Sequence, residues 1–275
     1  MEYAIPNSAA TQNIVGLAAF AILLVWETVR PFFPFFKGHP KLRGAHLARN
    51  VAIGLLNGVL VLACFSFLWR TGMAWSAETG FGLLYRGGLP GWAHAIAAVL
   101  LLDLWTYGWH RANHRIPWLW RLHRVHHSDP WMDVTTARRF HPGEILPSSA
   151  LRIPLLALLG IHLWELALYG TLLMVVIDFH HANIAVPERL DRWLRIFIAT
   201  PAMHKVHHSR IQAETDSNYT SLLSFWDRVF GSFRLRPDLS AIEPGLDEWS
   251  AETYQSLPGM LATPFVNDSG KPRAS

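Results

Sequence analysis

Apolar residues run through this chain in long blocks, separated by short polar loops. A helix that crosses a bilayer needs about 20 predominantly apolar residues. Four regions approach that. The first, Ile14–Val29, ends at the "RPFFPFF" stretch. Residues 51–69 form the second and carry no charge. Residues 92–109 form the third, with Asp103 as their one acid. Residues 149–179 form the fourth, which is too long for a simple crossing and is punctuated by Pro154, Gly160 and Gly170. It reads as one tilted span or as a bent pair of helices that enters and returns. Beyond residue 182 the pattern changes. "VPERLDRWLRIFI" sets Leu190, Trp193, Leu194 and Phe197 at helical spacing, with Arg189, Arg192 and Arg195 between them. That is the pattern of an amphipathic helix lying on a membrane surface. From Asp238 onward Pro, Gly, Ser and acids dominate, and a loosely ordered tail is expected.

The expected architecture is all-α: an integral membrane bundle of about four transmembrane helices, the last of them a candidate hairpin, under a histidine-rich helical cap. Three divisions follow: 1–90 for N-terminal transmembrane helices and loops, 91–236 for a catalytic region, and 237–275 for the tail. Lys and Arg distribution orients the bundle. The 30–50 loop carries Arg30, Lys37, Lys41, Arg43 and Arg49, the 70–91 loop only Arg70 and Arg86, and the first twelve residues none. The positive-inside rule then puts the 30–50 loop and the histidine clusters in the cytoplasm, with the protein multi-pass. The hairpin reading keeps every cluster on that side.

Composition agrees with a chain divided between lipid and water. Of 275 residues, 51% are hydrophobic and 16% charged, and mean hydropathy is +0.18. The net charge is +4, but the basic residues flank apolar runs, so membrane rather than nucleic acid is the expected partner. The single cysteine, Cys64, excludes an internal disulfide and thiolate metal sites. The start, "MEYAIPNSAATQN", has no basic residue and does not read as a cleaved signal peptide.

Candidate chemistry lies in the 15 histidines. "HRANH" sets His110 and His114 one helical turn apart; "HRVHH" gives His123, His126 and His127; "RFHP" gives His141; "FHHAN" gives His180 and His181; "HKVHH" gives His204, His207 and His208. Spacings of i, i+3 and i+4 share a helix face. The other four, His39, His46, His94 and His162, are scattered. A lone histidine is usually an ordinary core or surface residue, but this repeated set is not ordinary scatter. Buried imidazoles without partners cost free energy, and neutral imidazole is a common ligand of zinc, copper, iron and nickel. The supply is enough for two metal ions, and ligand type alone does not choose among metals.

The ordered set HxxxH, HxxHH, HxxHH resembles the signature of the fatty acid hydroxylase / sterol desaturase superfamily. The likeness runs over 103–234 and includes "DLWTYGWHRANH", "RRFHPGE", "HHAN" and "NYTSLLSFWDRVFGSF". Residues 181–233 are similar to the alkylglycerol monooxygenase branch. The resemblance implies an integral membrane, non-haem di-iron oxidoreductase that uses O2 and two electrons to hydroxylate or desaturate a lipid or sterol-like alkyl substrate. It implies metal ligation by His110, His114, His123, His126, His127, His204, His207 and His208, with His181 matching the family's single histidine before the last triplet. His141, in an HPxE element of sterol-oxidising members, is a tenth candidate. Where some members carry a further histidine one turn before the single one, this chain has Ile177; Asp178, His180 or a water would compensate. Asp103 shares a helix face with Tyr107 and His110 and is either a carboxylate that orients a ligand imidazole or an interhelical hydrogen-bond partner.

"FHPGE" also resembles the HPGG haem motif, but Glu144 replaces the second Gly and no haem is expected. With no flavin, nucleotide or haem motif, electrons are expected from a separate ferredoxin- or cytochrome-type donor with its reductase. Arg124, Arg138 and Arg210 are candidate docking residues for it. Two rivals stand beside this reading: a zinc-dependent membrane hydrolase, which would need a general-base Glu that neither HRANH nor HRVHH supplies, and a non-catalytic metal-binding membrane protein.

Overall fold

The computed structural model describes residues 8–267; the reading of the first residues as no signal peptide, and the last residues of the tail, fall at least partly outside them. Helix is the only regular secondary structure among the described residues, which otherwise hold turns, loops and isolated antiparallel bridges. Helices α1 (Ser8–Val29) and α2 (Pro40–Thr79) come first, then the short α3 (Leu83–Arg86), α4 (Gly91–Arg115) and α5 (Pro117–His127). A 3-10 turn, Val134–Arg138, leads to α6 (Pro142–Leu159), α7 (Leu163–His181), α8 (Glu188–Phe197) and α9 (Pro201–His207). Short helices follow: α10 (Gln212–Thr215), α11 (Phe225–Val229), α12 (Glu252–Gln255) and α13 (Leu257–Ala262).

Two stretches are long and apolar enough to cross a membrane: 40–86, containing α2, and α7; α1 adds a shorter apolar segment. The 51–69 region sits inside α2, which starts on Pro40 and stops at Gly80 in a left-handed C-cap. At 1.5 Å per residue α2 is about 60 Å long, roughly twice a bilayer's hydrocarbon core. Its first turns therefore reach past the apolar stretch and enter the shell of the histidine cluster. The 149–179 region is two helices, α6 and α7, joined by a tight turn at Gly160 (φ 77°). α1 lies along α7 and α2 along α6, while α4 packs on α5 and α7. Met73, Ala98, Leu102, Leu156, Tyr169 and Val176 form the main core. Outward faces stay apolar: Leu62 is 68% and Phe67 73% exposed on α2, as lipid contact requires. On α8, Leu190, Trp193, Ile196 and Phe197 are exposed, whereas Asp191 is buried and paired with Arg195 at 2.8 Å.

The expectation of a loose tail does not hold for residues 238–267. Met260 packs with Ile53 and Val125, and Trp249 with Trp120 and Leu246. The Arg124 guanidinium lies 3.8 Å from the Trp249 ring centroid and donates to the carbonyls of Thr263 and Val266 at 2.6 and 2.7 Å. Arg139 donates to Gln255 Oε1 at 2.8 Å. Polar composition concealed a few aromatic and apolar anchors spaced widely enough to hold the segment down.

Candidate metal centre

Helix ends bring the histidines together. α4 ends with His110 and His114, α5 with His123, His126 and His127, α7 with His180 and His181, and α9 with His204 and His207, followed by His208 at its C-cap. Nine rings form two groups, in each of which the donor atoms lie within 4.8 Å of one another: His110, His114, His123, His127 and His207 in one, His126, His181, His204 and His208 in the other. The groups abut, with the rings of His127 and His208 stacked at 4.5 Å and those of His207 and His204 at 5.1 Å.

The repeated triplet now has a geometric role. In "HRVHH" the i and i+4 rings serve the first group and the i+3 ring the second; in "HKVHH" the i and i+4 rings serve the second and the i+3 ring the first. Each triplet thus contributes to both groups, and His110 and His114 from α4 and His181 from α7 complete them.

Ring orientation is set through Nδ1. His110 donates to the Tyr219 carbonyl at 2.7 Å, His207 to the Ser217 carbonyl at 2.6 Å and His181 to the Ile177 carbonyl at 2.8 Å. His123 donates to Glu144 at 3.0 Å, and His114 Nδ1 lies 3.4 Å from Asp216. Nε2 atoms then meet in the interior: His207 and His110 at 3.0 Å, His181 and His126 at 3.2 Å, His204 and His181 at 2.9 Å. An imidazole anchored at one nitrogen and free at the other is the arrangement metal ligands use. The fit to metal ions is supported by buried ring nitrogens without a protein partner: Nε2 of His123, Nδ1 of His126 and His204, and both nitrogens of His127 and His208. Burial, and then the neighbouring rings, hold His126, His127, His204 and His208 well below the ordinary imidazole value, and burial pushes His207 down to about 3. The rings are therefore neutral, with lone pairs available.

Other expectations meet different geometry. His141 belongs to neither group: it caps α6, accepting from Gly143 N at 2.9 Å, with Nε2 3.2 Å from the Leu261 carbonyl. Asp178 is paired with Arg138 at 2.8 Å, and His180, although its ring is 3.9 Å from that of His204, is outside both groups. Asp103 touches no histidine. It accepts from Leu223 N and Trp226 Nε1, each at 3.0 Å, so it ties α4 to the 219–230 segment. Among the proposed docking arginines, Arg124 is fully buried, and Arg210 is paired with Glu243 and Asp247 at 2.9 and 3.2 Å.

The structure adds residues around the centre that no histidine motif marks. Glu144, the acid of the HPxE element and the departure from the haem motif, is buried and accepts from both His123 and Asn113, the latter at 2.8 Å. Its signal was position: an acid in the first turn of a helix that follows the second histidine box. His46, classed as scattered, bonds the buried Asp129 at 2.9 Å beneath α5. Burial opposes charge on Asp129, but His46 and Arg139 outweigh it and hold the carboxyl well below the usual carboxylate range. Asn218 lies between the two carbonyls that receive His207 and His110, with φ 51°. Its side chain donates to the carbonyls of Met203 and Arg234 and accepts from Arg234 N, at 2.9, 2.7 and 2.8 Å. Asp227 accepts from Tyr219 N at 2.8 Å and holds the next turn. Asn tolerates the left-handed region better than most residues. Asn218→Ala should cost about 3 kcal/mol from the lost bonds and the strained φ, and lower metal content. Asn218→Gly keeps the backbone freedom and should lose less; thermal unfolding and metal analysis read the difference.

A model of the fatty acid hydroxylase family matches residues 95–232, half of the chain. An ornithine lipid hydroxylase of Rhizobium tropici is 28% identical over 94% of this chain and 77% of its own length. An alkylglycerol monooxygenase of Danio rerio is 31% identical over 83% of this chain and 48% of its own, and a cholesterol 25-hydroxylase of Rattus norvegicus 23% identical over 53% and 48%. Against these last two the chain spans about half of the relative's length. No solved structure matches. With the family match spanning the segment that carries the histidine boxes and the turn behind them, the chain belongs to the fatty acid hydroxylase family.

Proposed function

We propose that the protein is a membrane-bound, non-haem di-iron oxidoreductase that uses O2 to hydroxylate, or desaturate, a lipid alkyl chain. The observation that carries this is the pair of abutting groups of closely packed histidines, eight of the nine buried. His110, His114, His123, His127 and His207 would hold one iron, and His126, His181, His204 and His208 the other. Two bound irons would supply the electron transfer to O2 that oxidation of an unactivated C–H bond requires.

The chain's own residues do the rest. Tyr219, Ser217, Ile177 and Glu144 fix ring orientation through Nδ1, so the inward nitrogens need no rearrangement. Phe140, stacked on His126 at 4.3 Å, and Trp120, whose ring is 5.1 Å from that of His114, keep water from the rings. The exposed apolar faces of α1, α2 and α8 would leave a substrate's tail in lipid while its reacting carbon approaches the histidines. The hydrolase alternative needs a carboxylate free to act as base, and Glu144 is already committed to Asn113 and His123.

Three crossings by α1, α2 and α4, then α6 and α7 as a pair that enters and returns, with the histidines on the cytoplasmic side, are our reading of the topology; a reporter fused after Ser275 should be active in the cytoplasm. The division at residues 90 and 236 is then one of roles: anchor, metal-bearing region and closing segment. Electrons would come from a separate ferredoxin- or cytochrome-type protein. The open cleft of about 400 Å³ beside His114, lined by Arg115 and Arg121, suits an acidic donor better than the arginines chosen from sequence.

The test is metal analysis with turnover. Purified protein should contain about two iron atoms per chain and convert no lipid alone. With a reductase and donor it should place one atom of labelled oxygen in a hydroxylated lipid. Zinc in place of iron, or conversion without O2 and reductant, would overturn the proposal.

A further inference from the structure

A third convergence of ligating side chains lies far from the two histidine groups. His94 is in the first turn of α4, roughly 24 Å along the helix from His110, and His162 is the N-cap of α7, with Glu165 in that helix's first turn. The three residues each offer a donor atom within 4.8 Å of the other two. Sequence separation had marked His94 and His162 as unrelated. The fold joins them because α3 and the α6–α7 turn meet back to back. A Cβ on Gly82 would lie 2.5 Å from the Gly160 Cα, so a side chain there would push the two turns apart.

The group has more coordinating capacity than its protein partners use. Glu165 is fully buried; Oε1 is 2.7 Å from His94 Nδ1, and Oε2 accepts from the backbone N–H of His162 at 2.9 Å. The His94 ring is more than nine-tenths buried, and its other nitrogen, Nε2, has no partner. The two imidazole rings are 5.0 Å apart, and the Tyr85 hydroxyl lies 3.3 Å from His162 Nδ1. His162 is only partly buried, which leaves a way in from outside. A hydrogen-bonded His–Glu pair alone accounts for the carboxylate. It does not account for a second imidazole against the first, nor for a buried ring nitrogen left bare.

We propose that His94, His162 and Glu165 form a third metal site that takes one divalent ion of the zinc class. Two imidazoles and a carboxylate are a zinc donor set, with the fourth position left to water or to the Tyr85 hydroxyl. Tetrahedral coordination with bonds near 2.1 Å sets donors roughly 3.4 Å apart, so small side-chain rotations suffice. The ion's role is structural: it clamps the start of α4, the start of α7 and the α3 turn at the end of the bundle away from the oxidative centre. The site does not depend on the iron reading. Whatever the two larger groups hold, the third is read as a difference between the wild-type chain and its variants.

The test uses full-length protein in detergent, loaded with iron anaerobically, incubated with zinc sulfate and freed of excess metal. Zinc and iron are then counted per chain. The wild-type chain should carry about one zinc more than His162→Ala or Glu165→Gln, while iron stays the same in all three. Thermal unfolding of the wild type should shift upward with zinc, and that shift should be absent in the variants. His162→Ala removes a partly exposed ring, and Glu165→Gln keeps an acceptor for the α7 cap, so the two variants perturb the fold differently. Equal zinc in all three proteins overturns the proposal. So does zinc that falls only together with iron in both variants, because the loss is then of the whole fold.

Discussion

His207→Ala should abolish turnover and remove about half of the bound iron while leaving the protein in the membrane. His207 is the one residue of α9 in the five-membered group, and it stands at the seam of the centre. Its Nε2 is 3.0 Å from that of His110, and its ring is 4.7 Å from that of His127 and 5.1 Å from that of His204. Ala leaves a buried gap where a donor nitrogen stood and strips the Ser217 carbonyl of its partner. Residues that merely orient a ligand typically matter 10–100-fold in metal affinity or activity, so a ligand should exceed about 100-fold. Turnover with saturating donor and iron per chain are the measurements. The contrast is His141→Asn, which keeps a cap for α6 and should retain iron, because His141 lies outside both groups. If the two variants lose iron equally, the assignment of ligands is wrong.

Glu144→Gln should weaken iron binding by about 10–100-fold with a modest change in stability, and Glu144→Ala should add destabilisation of about 2–6 kcal/mol. The carboxylate is buried and accepts from two side chains, Asn113 Nδ2 at 2.8 Å and His123 Nδ1 at 3.0 Å. Gln is close in shape and can still accept one of these bonds, but it cannot support the imidazole with a full charge. Ala leaves both donors buried and unpaired, each costing about 1–3 kcal/mol. Iron titration separates the electrostatic role from the packing role, and thermal unfolding measures the second. Iron affinity in Glu144→Gln within about twofold of wild type would show that the carboxylate only fills space.

An i, i+3, i+4 spacing places three imidazoles on one helix face regardless of the rest of the protein, because 3.6 residues per turn is a property of the backbone. "HRVHH" and "HKVHH" were legible for that reason, as were the apolar helices and the break at Gly160, where an αL cap ends α6. Which ring joins which group was not legible. That depends on how α5 and α9 face each other, across a stretch of chain that no local period spans. His141 shows the limit: its HPxE element makes it a tenth candidate, but its ring is used by the helix it begins. In the sequence Asp103 is an acid inside an apolar run with two roles open to it; only the placement of Leu223 and Trp226 makes it a hydrogen-bond partner between segments.

The sequence by itself determined the helical class, the approximate apolar segments and nine of the rings that converge, since each follows from residue type and short-range spacing. Tertiary structure alone decided the division of those rings into five and four, the carbonyls and carboxylates that aim them, the left-handed Asn218 between two of those carbonyls, and the packed segment over α5. It also decided that His94, His162 and Glu165 meet. The physical reason is the same throughout. Helical periodicity is written in neighbouring residues, whereas hydrogen-bond partners and ligand sets are selected by contacts between residues far apart in the chain, which exist only after the helices have packed.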